Sequence, residues 1–156
     1  MDKKVLVVDL DGTLYSKNTF HEFLKFLLSY YFKDFRIFKF KLLLVFIKLR
    51  IFRFISHARL KYWVLGLIKD EDVDYIKFIS KLAKHKNQLE EVLDTSFDVK
   101  ILATAAPSCY AEYIAKAEGF DVCLATDFPE NGFTPDFENL RERKKEKLFN
   151  YYKKNG

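Results

Sequence analysis

The 156-residue chain is sparing with the residues that mark unusual scaffolds. It has two cysteines, Cys109 and Cys123, which excludes a disulfide framework and suits a reducing compartment. Three prolines and five glycines exclude collagen-like and linker-rich classes. The residues before Asp9 lack the apolar h-region of a secretory signal, so a cytoplasmic location is expected. No Gly-x-x-x-x-Gly-Lys-Ser/Thr run exists, which excludes a phosphate-loop NTPase. No zinc-ligand spacing, RNA-binding motif or clean helix-turn-helix is present, and nucleic acid is not an expected partner. Internal repeats and low-complexity tracts are absent too.

What is present describes a folding chain: 49% hydrophobic and 31% charged residues. The net charge of +5 is unevenly placed. Residues 16–68 carry eleven basic side chains against two acids, Glu22 and Asp34, which leaves the remainder mildly acidic. The same segment holds ten of the seventeen phenylalanines. Such a local shift suggests an inserted subdomain.

Val5-Leu6-Val7-Val8 reads as a buried strand that ends in Asp9-Leu10-Asp11-Gly12-Thr13. Residues 19–68 have no proline and a single glycine, Gly66, and their apolar residues recur at helical spacing. The other faces of this block are apolar as well, as expected of a helix that is buried or meets a membrane. Its longest uncharged stretches, 26–32 and 62–68, fall far short of the roughly 18 apolar residues of a span. A helix with an acidic start over Asp70–Asp74, a polar and loosely helical stretch over 83–95, and a second strand at 99–103 follow. Ser108 is placed to cap a helix closed by Gly119, 122–125 forms a third strand, and Pro129-Glu130-Asn131-Gly132 signals a turn or small hairpin. A charged helix over about 140–154 comes last. Strands alternating with helices predict an α/β fold with a parallel sheet, whose ligands bind beyond the carboxyl ends of the strands.

Those ends carry the chemistry. Asp9 and Asp11 are hard-oxygen donors of the kind Mg²⁺ takes, and one of them can attack phosphorus while the other handles a proton. Gly12 allows close backbone approach to a ligand, and Thr13 offers a hydroxyl and an N–H to an anion. Thr104, before Ala105-Ala106-Pro107, adds a hydroxyl at the second strand end. The plainer alternatives are a solvated Asp-Gly turn and a threonine that caps a helix.

Asp9-Leu10-Asp11-Gly12-Thr13-Leu14 after Val5–Val8 resembles the first motif of the haloacid dehalogenase-like (HAD) phosphohydrolases. Ile101-Leu102-Ala103-Thr104-Ala105-Ala106-Pro107 resembles their second, in the form of the phosphoserine-phosphatase-like branch, and 124–126 with 131–134 resembles the hairpin that follows. The resemblance implies a Mg²⁺-dependent phosphomonoesterase that works through an aspartyl-phosphate on a small phosphorylated substrate. Asp9 would be the nucleophile, Asp11 the general acid and base, and Thr104 the holder of a phosphate oxygen, with Gly12, Thr13 and Ala105 lining the phosphate. Mg²⁺ would rest on the Asp9 side chain and the Asp11 backbone carbonyl. The motif lysine is sought among Lys144, Lys145 and Lys147; Lys147 best fits the spacing and Lys145 comes second.

The implied architecture is a Rossmannoid core over 1–15 and 96–156 with a helical cap inserted over 16–95. Arg59 and Lys61 are candidates to meet an anionic group of the substrate, though snorkelling cations on the cap surface explain them more simply. Asn18 stands where relatives often carry Asp, which leaves an acidic role there in doubt. The family's fourth motif, a pair of acids on a further strand, is not found, so C-terminal sheet strands are expected to be missing and the activity of these 156 residues alone to be weak or absent, an inactive remnant being the extreme case. The basic, phenylalanine-rich cap raises a further expectation: an anionic membrane surface as partner, with the protein peripheral at the inner face and acting on a lipid phosphate.

Overall fold

The computed structural model describes residues 3–155, so the extreme ends of the two core ranges lie outside the described residues. Strand β1 (Val5–Val8) leads into five helices: α1 (Thr19–Lys33), α2 (Ile37–Ile51), α3 (His57–Ile68), α4 (Tyr75–Leu82) and the short α5 (Glu90–Leu93). Then come β2 (Val99–Pro107), α6 (Ser108–Ala117), β3 (Val122–Thr126) and α7 (Glu142–Asn155). The strands form one parallel sheet in the order β1-β2-β3, with Val5 opposite Val99 and Ile101 opposite Val122. Among the described residues β1 is paired on one side only.

The uninterrupted helical block is in fact three helices. Asn18, Ser56 and Asp74 accept the backbone N–H three residues on, capping α1, α3 and α4. The breaks carry no proline or glycine. Instead Phe35 and Arg53 adopt left-handed conformations, at φ 55° and 61°. After each, the next N–H returns to the helix: Arg36 to the Tyr31 carbonyl and Phe54 to the Leu49 carbonyl, both at 2.9 Å. This is the Schellman ending usually built on glycine. Gly119, at φ 76°, closes α6 by the same bonds, with Phe120 N–H on the Ala115 carbonyl at 2.9 Å.

Three other expectations change. The second strand runs past Thr104 to Pro107, with an irregular register between Ala103 and Pro107. Ser108 opens α6 rather than capping it, because the extended backbone continues through Pro107. Residues 129–134 form no hairpin among the described residues; the stretch is a loop whose Phe133 ring packs on Tyr62 of α3, as does that of Phe137 just beyond it. The loose stretch after α4 is a 3₁₀ turn (Ala83–His85) followed by α5.

One apolar cluster joins sheet and inserted helices. At its centre Phe23 of α1, Phe78 of α4 and Tyr110 of α6 pack ring to ring at 5.0–5.1 Å. Helix α2 joins it only at its margin, through Leu43, its one buried residue, and packs chiefly on α1 and α3. No helix among the described residues is long and apolar enough to cross a membrane.

Candidate active site at the strand ends

The segment after β1 folds back at once. Tyr15 N–H donates to the Leu10 carbonyl and Gly12 N–H to the Tyr15 carbonyl, at 2.9 and 2.8 Å. Gly12 sits at φ 77°, in the region that favours glycine, and no atom lies within 4 Å of where a Cβ would stand. Leu10, Leu14 and Tyr15 anchor the loop in the core, while Asp9, Gly12 and Thr13 stay at the surface. The Thr13 carbonyl is bound by Asn87 Nδ2 at 2.7 Å.

The two aspartates are held differently. Asp9 Oδ1 accepts the Leu10 N–H at 2.8 Å, and its Oδ2 lies 3.2 Å from Lys144 Nζ. Asp11 Oδ1 accepts the Thr19 N–H at 2.7 Å, one of the free amides of the first turn of α1. Thr19 is itself buried, with its hydroxyl 3.1 Å from the Tyr110 hydroxyl. Asp11 is thus oriented through α1, and Asp9 through α7.

Parallel register sets Val8 opposite Leu102, so Asp9 comes level with Ala103, one residue before Thr104. Thr104 is fully buried, and its Oγ1 accepts the Ala106 N–H at 3.0 Å. That bond uses an acceptor site and leaves the hydroxyl hydrogen free to donate to an anion. Ala105 offers its carbonyl inward, where Lys61 Nζ and Thr126 Oγ1 bind it at 2.7 and 2.8 Å.

Of the three lysines on α7, the one beside Asp9 is Lys144. Lys147, one turn further along the same face, overshoots the end of β1 and reaches the Ala125 carbonyl and Asp127 Oδ2, at 2.7 and 2.9 Å. Lys145 is turned about 100° around the helix and pairs with Glu142 at the surface.

Two arrangements were not legible beforehand. Asn139 is buried in the loop before α7, where its Nδ2 donates to the Thr104 and Leu124 carbonyls at 2.9 and 2.7 Å. Its N–H donates to Thr126 Oγ1 at 2.9 Å, so one residue ties the ends of β2 and β3. The second arrangement is ionic. Lys61 of α3, 3% exposed, pairs with Glu138, which also lies 3.0 Å from His57 Nδ1. Burial would raise the Glu138 carboxyl, but His57 and Lys61 overrule it and hold it down at about 2. Burial pulls the Lys61 amine below its usual range, with Glu138 and then Asp11 pulling the other way. Because Lys61 is so deeply buried, the pair adds little over an apolar replacement, while ionised Glu138 is still favoured over its protonated form as long as the Lys61 ammonium faces it. Arg59 stacks over the Phe133 ring at 4.3 Å.

The donor set suits Mg²⁺. Asp9 presents an accessible carboxylate, 48% exposed, and this ion takes one or two carboxylates and keeps waters. No group of three or more His, Cys, Asp and Glu side chains that could hold a metal ion converges among the described residues.

Comparison with known proteins bears on the fold and the family. A crystal structure of a Bordetella pertussis Tohama I protein of unknown function matches with a TM-score of 0.74 at 17% identity, over 99% of this chain and 77% of that one. At that identity the likeness shows the fold alone. No curated protein matches the sequence. The family model of haloacid dehalogenase-like hydrolases matches residues 6–155, from β1 through α7, and the chain belongs to that family.

Proposed function

We propose that the chain is a Mg²⁺-dependent phosphomonoesterase in which Asp9 is the nucleophile. The observation that carries this reading is the Asp9 carboxylate at the end of β1, ion-paired with Lys144 and followed two residues later by a separately oriented Asp11. Asp9 attacks phosphorus and the ester P–O bond breaks. Asp11 gives its proton to the departing oxygen, then takes one from the water that cleaves the aspartyl-phosphate, releasing phosphate and restoring Asp9. The Lys144 ammonium and the Thr104 hydroxyl hold phosphate oxygens as charge shifts among them, with Gly12 and Thr13 at the rim. Mg²⁺, held by the Asp9 side chain and the Asp11 carbonyl, would supply further charge neutralisation at the phosphate.

The test is covalent labelling, which needs no rapid turnover. With radiolabelled acetyl phosphate and Mg²⁺, the purified chain should take up acid-stable label that hydroxylamine releases, and Asp9→Asn should take up none. An unlabelled wild-type chain, or equal label on Asp9→Asn, overturns the assignment and favours a non-enzymatic binding module.

A further inference from the structure

Helix α2 and the turns at its two ends display a surface that the proposed hydrolysis does not use. Its outward stripe reads Phe38, Lys41, Val45, Lys48 and Phe52, one residue per turn and all exposed. Beyond its ends project Phe35, 86% exposed, and Phe54, 77% exposed, each beside a left-handed turn residue or on it. Fifteen residues set these ends about 22 Å apart, so the apolar groups form a long strip and not a pocket.

The charges on the strip say what covers it. Arg36 and Lys39 are paired with Glu71. Lys33, Lys41, Lys48, Arg50 and Arg53 have no acidic partner among the described residues, and Asp34 is the sole acid between residues 32 and 54. A second copy of the chain would set these cations against their own kind. An acidic protein groove would match the cations but offers no general reason for rings at both tips. Apolar side chains alternating with lysines along one helix face, with phenyl rings at both ends, fit an anionic bilayer, where the rings enter the headgroup boundary and ammonium groups meet lipid phosphates.

We infer that α2, with the turns at Phe35 and Arg53, is a peripheral docking face for an anionic lipid surface. The protein rests on the bilayer through this strip without crossing it. The inference does not depend on the hydrolytic reading, since binding is measured without turnover.

Co-sedimentation with vesicles of equal parts phosphatidylcholine and phosphatidylglycerol, against phosphatidylcholine alone, tests it. The chain should pellet with the anionic vesicles and remain in solution with the neutral ones, and high salt should release it. Lys41→Glu with Lys48→Glu should weaken binding by at least about tenfold at two charges reversed. Phe38→Ser with Phe52→Ser should also weaken it at unchanged charge, and far-ultraviolet circular dichroism should show both variants folded. Binding equal on both vesicle types, no binding, or binding indifferent to both variants overturns the inference. So does a stable dimer in solution that the same substitutions dissociate, because the strip would then be a contact between copies.

Discussion

At the residue scale, each ionic contact has its own signature. Lys144→Ala should slow labelling of Asp9 by roughly 10²–10³, the usual cost of removing one donor aimed at developing charge, while Lys145→Ala leaves it within about twofold. Lys147→Ala should lower thermal stability, because its bonds go to Ala125 and Asp127, and quenched labelling time courses separate the three. Glu138 makes a pH prediction. Its carboxyl is held at about 2, below the ordinary 4.5, so its stabilisation is fully present above 4.5 and is lost as pH falls towards 2. Melting temperatures across that window should fall more steeply for the wild type than for Glu138→Gln. Strand patterning directs attention to Asp9 and Asp11 just past Val5–Val8, and the structure has them there, whereas Thr104 lies inside β2 and not at its end. Spacing favours Lys147 among three lysines on one charged helix, whereas Lys144, one turn earlier, is the one that meets Asp9. The sequence could not reveal Asn139, whose role rests on two carbonyls from distant strands.

At the element scale, strands were easier to read than helix ends. Apolar runs such as Val5–Val8 locate themselves, whereas the breaks after α1 and α2 carry none of the usual punctuation. A phenylalanine and an arginine occupy the left-handed position, and that conformation costs an L-residue about 1–2 kcal/mol. Phe35→Gly should therefore stabilise the fold by about 0.5–1 kcal/mol after the added freedom of the unfolded chain is counted, raising the melting temperature by about 1–4 °C. Calorimetry reads this directly. The same substitution removes an exposed ring from the lipid-facing strip, so stability should rise as vesicle binding falls.

At the scale of the whole molecule, the inserted helices and the sheet share one apolar cluster and a buried ion pair. Lys61→Met strands Glu138 beside His57 alone and should cost about 3–5 kcal/mol in urea denaturation, whereas Lys61→Met with Glu138→Leu should recover most of it. The fold class followed from the alternation of strands and helices; this clamp did not, because Lys61 and Glu138 are 77 residues apart. The clamp also reaches the proposed chemistry. Ala105 C=O and Ala106 N–H belong to one planar peptide unit, a stiff plate that cannot turn at one end only. Lys61 and Thr126 grip the oxygen edge of that plate, and Thr104 Oγ1 rests on its nitrogen edge. The Lys61 ammonium and the Thr104 hydroxyl therefore bear on opposite edges of one rigid plate, which links the seating of α3 to the bearing of that hydroxyl.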